Sequence, residues 1–141
     1  MERNQPIEVV AAMIIQEDRF LLCQRPEHKS CPLQWEFVGG KVEPTEQKIQ
    51  ALKRECEEEL ALTIRVGREL AQTVHAYPNF KIHLTLFAAA IEAGTPQLLE
   101  HRTCKWVCLS EAETYDLCPA DQTLLQQIKC IVNKKRLADL I

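Results

Sequence analysis

Residues 40–62, GKVEPTEQKIQALKRECEEELAL, contain the densest chemical pattern in this chain. Glu55, Glu58 and Glu59 follow one another at helical spacing, so they lie on one face of a predicted helix. Carboxylates this close repel one another, and a hard divalent cation relieves the repulsion by binding their oxygens. The stretch therefore predicts a helix that carries a Mg²⁺ site, and Mg²⁺ in proteins commonly accompanies a phosphate substrate.

A solvated acidic helix face is the simpler interpretation of such a charge run. One observation against this interpretation is that a separate face of the same helix is apolar, so the helix can pack on a core while the acids line a cleft. This apolar stripe consists of Ile49, Leu52, Cys56 and Leu60. The acids also lie near the helix C-terminus, where the helix dipole disfavours carboxylates. Thr45 suits the N-cap of the helix, and the preceding Gly39 and Gly40 let the backbone approach a metal or a phosphate closely.

The segment resembles the Nudix box, whose pattern is GX5E, then seven residues, then REUXEEXGU, where U is a bulky aliphatic residue. The matching positions are Gly40, Glu46, Arg54, Glu55, Glu58, Glu59 and Leu62. Cys56 stands where an aliphatic residue is usual, and Ala61 stands where glycine is usual. If Ala61 ends the helix in a left-handed conformation, it costs about 1 kcal/mol relative to glycine. Neither departure removes a carboxylate.

The resemblance extends from about residue 8 to residue 128. The segments that carry it are EVVAAMI, LLCQRP, WEFVGGKVEP, HLTLFAA and CPADQTLL. They resemble those of MutT-type nucleoside triphosphate pyrophosphohydrolases, and most of all the CTP pyrophosphohydrolase subgroup. The resemblance implies an α/β/α sandwich and a reaction in which water converts a nucleoside triphosphate to its monophosphate and pyrophosphate.

The resemblance also implies a bound Mg²⁺, with Mn²⁺ as a substitute. Its expected ligands are the Gly40 carbonyl and the side chains of Glu55, Glu58, Glu59 and Glu100. Glu100 is equally well explained as an exposed loop glutamate. Glu55 or Glu58 is expected to orient or deprotonate the attacking water, and Arg54 to hold Glu55 in place. Glu46 is expected to support the metal ligands indirectly, by contacting the residues that hold them in place.

Substrate contacts are predicted outside the helix. The candidates are Arg25, Phe37, Lys41 and Asp121. Arg25 ends a strand, where its guanidinium can grip a phosphate with two hydrogen bonds. Lys41 follows the metal-binding turn. Phe37 corresponds by resemblance to an aromatic residue on the nucleobase side, and core packing explains it equally well.

Asp121 carries the prediction about the base. MutT has asparagine at the matching position, where the side chain contacts oxidised guanine. An ionised carboxylate can only accept hydrogen bonds, so Asp121 suits the cytosine N4 amino group better than guanine O6. Two alternatives stay open: a protonated Asp121 recovers guanine recognition, or Asp121 is only the N-cap of the last helix.

The rest of the chain predicts mixed α and β structure. The predicted strands span residues 7–15, 19–24, 35–38, 63–74, 80–91 and 105–109. Ser110 suits the cap of a helical turn, and an amphipathic helix is predicted from Ala120 to about Leu137. With helices on both sides of the strands, the prediction is one α/β/α sandwich domain over residues 1–141, with a mixed central sheet.

Composition limits the class of protein and its partners. The chain has 141 residues, 26% of them charged, and a net charge of −3, so a nucleic-acid polymer is not an expected partner. No apolar run is long enough to cross a membrane, and the N-terminus has no signal pattern. The 7 cysteines form no CxxC pair, which favours reduced thiols in the cytoplasm. A zinc site from His101, Cys104 and Cys108 is the sharper alternative, but its spacing is unusual for zinc.

These observations favour a Mg²⁺-dependent nucleoside triphosphate pyrophosphohydrolase acting on CTP, dCTP or a modified cytosine nucleotide, as a monomer or a homodimer. One alternative is removal of oxidised purine nucleotides such as 8-oxo-dGTP by the same reaction. Another is a Nudix domain that only binds a nucleotide, although a pure sensor has no need of three clustered carboxylates. Hydrolysis of a nucleoside diphosphate linked to another group, such as a sugar, is a further family reaction.

Overall fold

A seven-stranded mixed sheet forms the centre of the computed structural model, which describes residues 5–132 and 136–141. Its strands are β1 (Ile7–Gln16), β2 (Arg19–Gln24), β3 (Trp35–Glu36), β4 (Val38–Lys41), β5 (Thr63–Ala76), β6 (Lys81–Ala93) and β7 (Thr103–Val107). The helices are α1 (Lys48–Leu60), α2 (Leu109–Ala112) and α3 (Pro119–Ile131), followed by a 3₁₀ helix, Leu137–Leu140. The strand order is β3-β2-β1-β6-β5, with β4 beside β1 and β7 beside β2. Only β1 and β6 pair in parallel among these strands.

Strand β1 divides the core into two layers, because alternate side chains point to opposite faces of the sheet. Val10, Ala12 and Ile14 pack with the buried face of α1. Met13 and Ile15, on the other face, pack with α3 and the 3₁₀ helix. Each face of the sheet is therefore covered by helix, which confirms the predicted α/β/α sandwich.

Helix α1 starts later than predicted. Its N-cap is Gln47, not Thr45. The difference arises because Glu46 is held outside the helix, where its carboxylate accepts the Glu43 N–H at 3.0 Å and pairs with Arg54. Ile49 is also not part of the buried stripe: it is 44% exposed, and the buried stretch begins at Ala51.

Other boundaries differ by a few residues. Strand β7 begins and ends two residues earlier than predicted, and Cys108 rather than Ser110 caps α2, with Glu111 accepting the Cys108 N–H at 2.9 Å. Helix α3 ends at Ile131, and Leu137 belongs to the 3₁₀ helix; residues 133–135 of the predicted helix lie outside the described residues. All the cysteines have free thiols, and the described helices include none long and apolar enough to cross a bilayer.

Helix α1 ends at Ala61 in the left-handed conformation, with φ of 56° and ψ of 37°. We therefore expect Ala61→Gly to raise the free energy of unfolding by about 1 kcal/mol, since glycine adopts this conformation without a Cβ penalty. For a domain of this size the gain corresponds to a rise in Tm of about 3 °C in thermal unfolding.

The matched control for this helix is Lys53→Gly, at an exposed position inside α1. Glycine in a right-handed helix interior lowers stability by about 1 kcal/mol, so the two variants should move Tm in opposite directions. A loss of stability in both would contradict the conformational argument for Ala61.

Candidate active site

The site begins where strand β4 passes the acidic end of α1. The carboxylate of Glu55 lies against the backbone of Gly40, so closely that a Cβ built on Gly40 would lie 2.5 and 2.6 Å from the two Glu55 oxygens. Only glycine leaves room for this carboxylate. Gly40 lies in strand β4 and not in the turn expected from the sequence, and the close approach explains why the strand has glycine at this position.

Arg54 holds the carboxylates around it in place. Its Nε and Nη2 donate to the two oxygens of Glu46, at 2.7 and 2.8 Å, and Nη1 donates to Glu55 Oε2 at 2.9 Å and to Glu58 Oε1 at 3.3 Å. Nη2 also donates to the Lys41 carbonyl at 3.1 Å. The hydrogen bonds from Arg54, together with one from the Glu43 backbone, lower the pKa of Glu46 to about 2. The predicted contact between Arg54 and Glu55 is present, and its role in a reaction stays a prediction.

Glu59 is the most buried carboxylate of the helix, at 8% exposed. Burial raises its pKa, and the hydrogen bond to Glu55 and the charges of Glu55, Glu36 and Glu100 raise it further. Glu55, Glu59 and Glu100 line one cavity of about 310 Å³, which we call the acidic cavity. Its carboxylates and the nearby Gly40 carbonyl offer oxygen, the donor that a hard divalent cation binds, but among the described residues no three of the predicted acids come within 4.8 Å of one another.

Glu58 and Glu100 lie at the margins of this group. The Glu58 side chain is 52% exposed, pairs with Arg54 and is not among the residues that line the acidic cavity. Glu100 lines the cavity but accepts a hydrogen bond from Lys29 Nζ at 3.2 Å. The helix therefore places Glu55 and Glu59 together, while Glu58 turns toward Arg54.

A larger cavity of about 480 Å³ adjoins the acidic cavity, and we call it the apolar cavity. The residues that line both cavities are Arg25, Glu36, Gly39, Gly40 and Lys41. Part of the wall of the apolar cavity comes from the β5–β6 hairpin, where Tyr77 and Phe80 stack with their ring centroids 5.1 Å apart. Phe80 is 46% exposed, so this aromatic surface is accessible to a ligand.

Asp121 lies in the apolar cavity and is buried. It is the third residue of α3, whose N-cap is Cys118, so the proposed capping role is wrong. Its Oδ1 accepts the Phe37 backbone N–H at 3.0 Å. Burial raises the pKa of Asp121 well above its ordinary value, and the charge of Glu36 adds to this effect. Burial therefore shifts Asp121 toward its protonated form, whereas the prediction from the sequence took the ionised form.

The other predicted substrate contacts also line the cavities. Arg25 already makes hydrogen bonds within the protein. Its Nη1 donates to Glu36 Oε1 at 2.9 Å, and its Nη2 donates to Ser30 Oγ at 3.1 Å. Lys41 is exposed and makes no ion pair with a described residue. Phe37 is 2% exposed and stacks on Phe20, so most of its ring belongs to the core. All three stay predictions as substrate contacts.

Glu36 was missed from the sequence, and His101 was considered only as a possible zinc ligand. Glu36 accepts from Arg25 on one oxygen and contacts His101 Nε2 at 2.9 Å through the other. The available signal was a charged residue between Trp35 and Phe37 in an otherwise apolar strand. The only ligand cluster of three among the described residues joins Glu36, Cys118 and Asp121, within 4.8 Å of one another, so His101 does not form the alternative zinc site with Cys104 and Cys108.

Comparisons with known protein sequences agree on one family. The model of the NUDIX domain matches residues 10–127. The chain is 42% identical to a CTP pyrophosphohydrolase of Escherichia coli (strain K12) over 120 residues, which cover 85% of this chain and 89% of that protein. It is 32% identical over 136 residues to a protein of Mycobacterium tuberculosis (strain H37Rv) called putative 8-oxo-dGTP diphosphatase 2, with 89% of each chain covered.

A comparison with solved structures agrees with this family. The crystal structure of a MutT protein from Methanosarcina mazei Go1 superposes with a TM-score of 0.84 at 27% identity, and the match covers 96% of this chain and 99% of that one. The prediction made from the box and its flanking segments is thereby confirmed. With its acidic helix, the contact between Gly40 and Glu55, and a domain match that spans most of its length, the chain belongs to the Nudix hydrolase family.

Proposed function

We propose that this protein hydrolyses a nucleoside triphosphate to the nucleoside monophosphate and pyrophosphate, with Mg²⁺ as its cofactor and Mn²⁺ as a substitute. The observation that carries the proposal is the junction of the two cavities. An acidic cavity suited to a cation adjoins an apolar cavity suited to a base, and Gly40 and Arg25 line both. A nucleotide can therefore place its phosphates at the carboxylates while its base enters the apolar cavity.

The residues that would hold the cation are the oxygen ligands around α1. They are the Gly40 carbonyl, Glu55, Glu58 and Glu59, with Glu100 from the loop before β7. When bound, Mg²⁺ neutralises phosphate charge and makes a bound water more acidic. Glu58 lies on the same helix with its side chain half exposed, and in this proposal it leaves Arg54 and turns toward Glu55 and Glu59 by a change of rotamer.

The remaining steps belong to the side chains of this protein. Glu55 accepts a proton from the attacking water, and Arg54 fixes the orientation of Glu55 through the 2.9 Å ion pair. Lys41 and Arg25 contact the phosphates from the wall that the two cavities share. Lys29, which pairs with Glu100, adds positive charge at the rim of the acidic cavity.

We propose a cytosine nucleotide as the preferred substrate. A protonated Asp121 offers one donor and one acceptor, which match cytosine N3 and N4. The 42% identity to a CTP pyrophosphohydrolase supports the same choice. The second candidate is an oxidised purine nucleotide, since the same protonated group can also donate to guanine O6 and a 32% identical relative is called putative 8-oxo-dGTP diphosphatase 2.

The test is to incubate the protein and Mg²⁺ with CTP, dCTP, 5-methyl-dCTP, 8-oxo-dGTP and the other common triphosphates, and to identify the products by ion-exchange chromatography. Monophosphate and pyrophosphate from the cytosine nucleotides are the expected result. The same products from 8-oxo-dGTP alone would select the second candidate. Saturable nucleotide binding without any product would instead indicate a non-catalytic nucleotide-binding domain.

Asp121→Asn is expected to keep the base preference within about threefold at neutral pH, because an amide offers the same donor and acceptor as a protonated acid. Asp121→Ala should lose about 1–3 kcal/mol of base discrimination. As the pH rises through the raised pKa of Asp121, the wild-type carboxyl group ionises and loses its donor, so its kcat/KM for CTP should fall. The amide variant should lack that decrease.

The measurement is the ratio of kcat/KM for CTP to that for 8-oxo-dGTP, taken for the wild-type protein and both variants between pH 6 and pH 10. A change of preference of tenfold or more in Asp121→Asn at neutral pH would show that the ionised carboxylate reads the base.

A further inference from the structure

His101 is a buried polar residue that the proposed reaction does not use. Its side chain, which lies just before β7, is only 4% exposed. Its Nε2 lies 2.9 Å from Glu36 Oε2 and 3.6 Å from Glu59 Oε1. Because a carboxylate accepts hydrogen bonds, Nε2 carries the proton. The other ring nitrogen, Nδ1, is buried and has no hydrogen-bond partner among the described residues.

A buried ring nitrogen without a hydrogen-bond partner is unfavourable. The orientation of His101 is therefore set by what its other nitrogen contacts. Those contacts belong to different parts of the site. Glu36 lines both cavities and pairs with Arg25, whereas Glu59 lines only the acidic cavity.

We propose that His101 is a positioning residue that aligns Glu59 for cation binding and links it to Glu36 in the wall of the apolar cavity. The inference rests on the proposed function, because it takes Glu59 to be a metal ligand. The Nε2–H donates to Glu36 and faces Glu59 at 3.6 Å, so a shift of Glu36 toward or away from His101 changes how close this N–H lies to Glu59. Cation binding and nucleotide binding then become coupled, each changing the affinity of the other by the same factor.

Two amide variants separate a positioning role from simple packing. His101→Gln places its amide nitrogen near the position of Nε2, whereas His101→Asn places it near that of Nδ1, too far back to reach the carboxylates. We expect His101→Asn to weaken Mn²⁺ binding at least about tenfold, as removal of a group that orients a metal ligand commonly does, and His101→Gln to stay within about threefold of the wild type. Mn²⁺ affinity is read by electron paramagnetic resonance, without nucleotide and with a saturating non-hydrolysable CTP analogue.

The coupling is expected to decrease as well. The analogue should tighten Mn²⁺ binding in the wild-type protein and in His101→Gln by a larger factor than in His101→Asn. His28→Leu, at an exposed histidine that makes no side-chain hydrogen bond or ion pair with a described residue, is the control and should match the wild type. Thermal unfolding of each variant identifies any loss of fold.

The outcomes separate this inference from the proposed function. If the wild-type protein binds neither Mn²⁺ nor nucleotide, the proposed function fails. If the wild type binds both and hydrolyses the nucleotide, but folded His101→Asn and His101→Gln have equal Mn²⁺ affinity, the positioning role of His101 is overturned while the proposed function stands.

Discussion

Glu55→Gln is expected to lower kcat for the preferred triphosphate by about 10³-fold, the middle of the range for loss of a general base. The amide has nearly the shape of the carboxylate, so the space beside Gly40 stays filled, but it neither accepts a proton nor offers a charge to a cation. Mn²⁺ affinity should decrease in parallel. The measurement is steady-state release of pyrophosphate, with circular dichroism as a check on the fold.

The matched control is Glu57→Gln on the same helix. Glu57 is exposed and its side chain makes no hydrogen bond or ion pair with Arg54, and it does not line either cavity, so this variant removes one charge from α1 away from the site. Its kcat should stay within about twofold of the wild type. Glu58→Gln should lose turnover as Glu55→Gln does if Glu58 rotates into the site. Retained Mg²⁺-dependent turnover in both Glu55→Gln and Glu58→Gln would disprove the metal assignment.

Gly40→Ala is expected to lower kcat by about 100-fold, which is the scale of loss for a displacement of about 1 Å at a reacting group. The added Cβ would lie 2.5 and 2.6 Å from the Glu55 oxygens, so the carboxylate has to move. Arg54 moves with it, because its Nη1 donates to Glu55. The loss should be visible in kcat and in Mn²⁺ affinity, while the Tm changes little.

Gly67→Ala serves as the control, since it adds the same methyl group away from the site. At Gly67 the nearest atom to an added Cβ is the Ala88 carbonyl oxygen at 3.3 Å, which a shift of a few tenths of an ångström accommodates. This variant should keep the activity of the wild type. Equal activity in the two alanine variants would mean that the contact between Gly40 and Glu55 does not matter for the reaction.

Local patterns in the sequence were enough to predict the helix and the family. The 3.6-residue period places Glu55 and Glu59 on one face with Cys56 and Leu60 on another, and that relation holds for any helix of this sequence. The left-handed end at Ala61 also follows from local rules. The start of the same helix does not follow from local rules, because Glu46 is held outside the helix by an ion pair with Arg54, eight residues further along the chain.

The base side of the site was less predictable for a similar reason. The chemistry of Asp121 in helix α3 depends on whether its carboxyl group is ionised, and that depends on burial and on Glu36 in strand β3. The pairing of Glu36 with Arg25 and His101 joins three separate segments of the chain. Neither the spacing nor the composition of any single segment contains this information.

The sequence by itself determined the α/β/α sandwich, the Nudix family and the helix that presents the carboxylates, because these follow from side-chain periodicity and from motif spacing along the chain. The tertiary structure decided which carboxylates are buried, which are paired with arginine and which favour the protonated form. The reason is that the energy of a charge depends on the groups and the solvent around it, and the fold brings those groups together from distant positions.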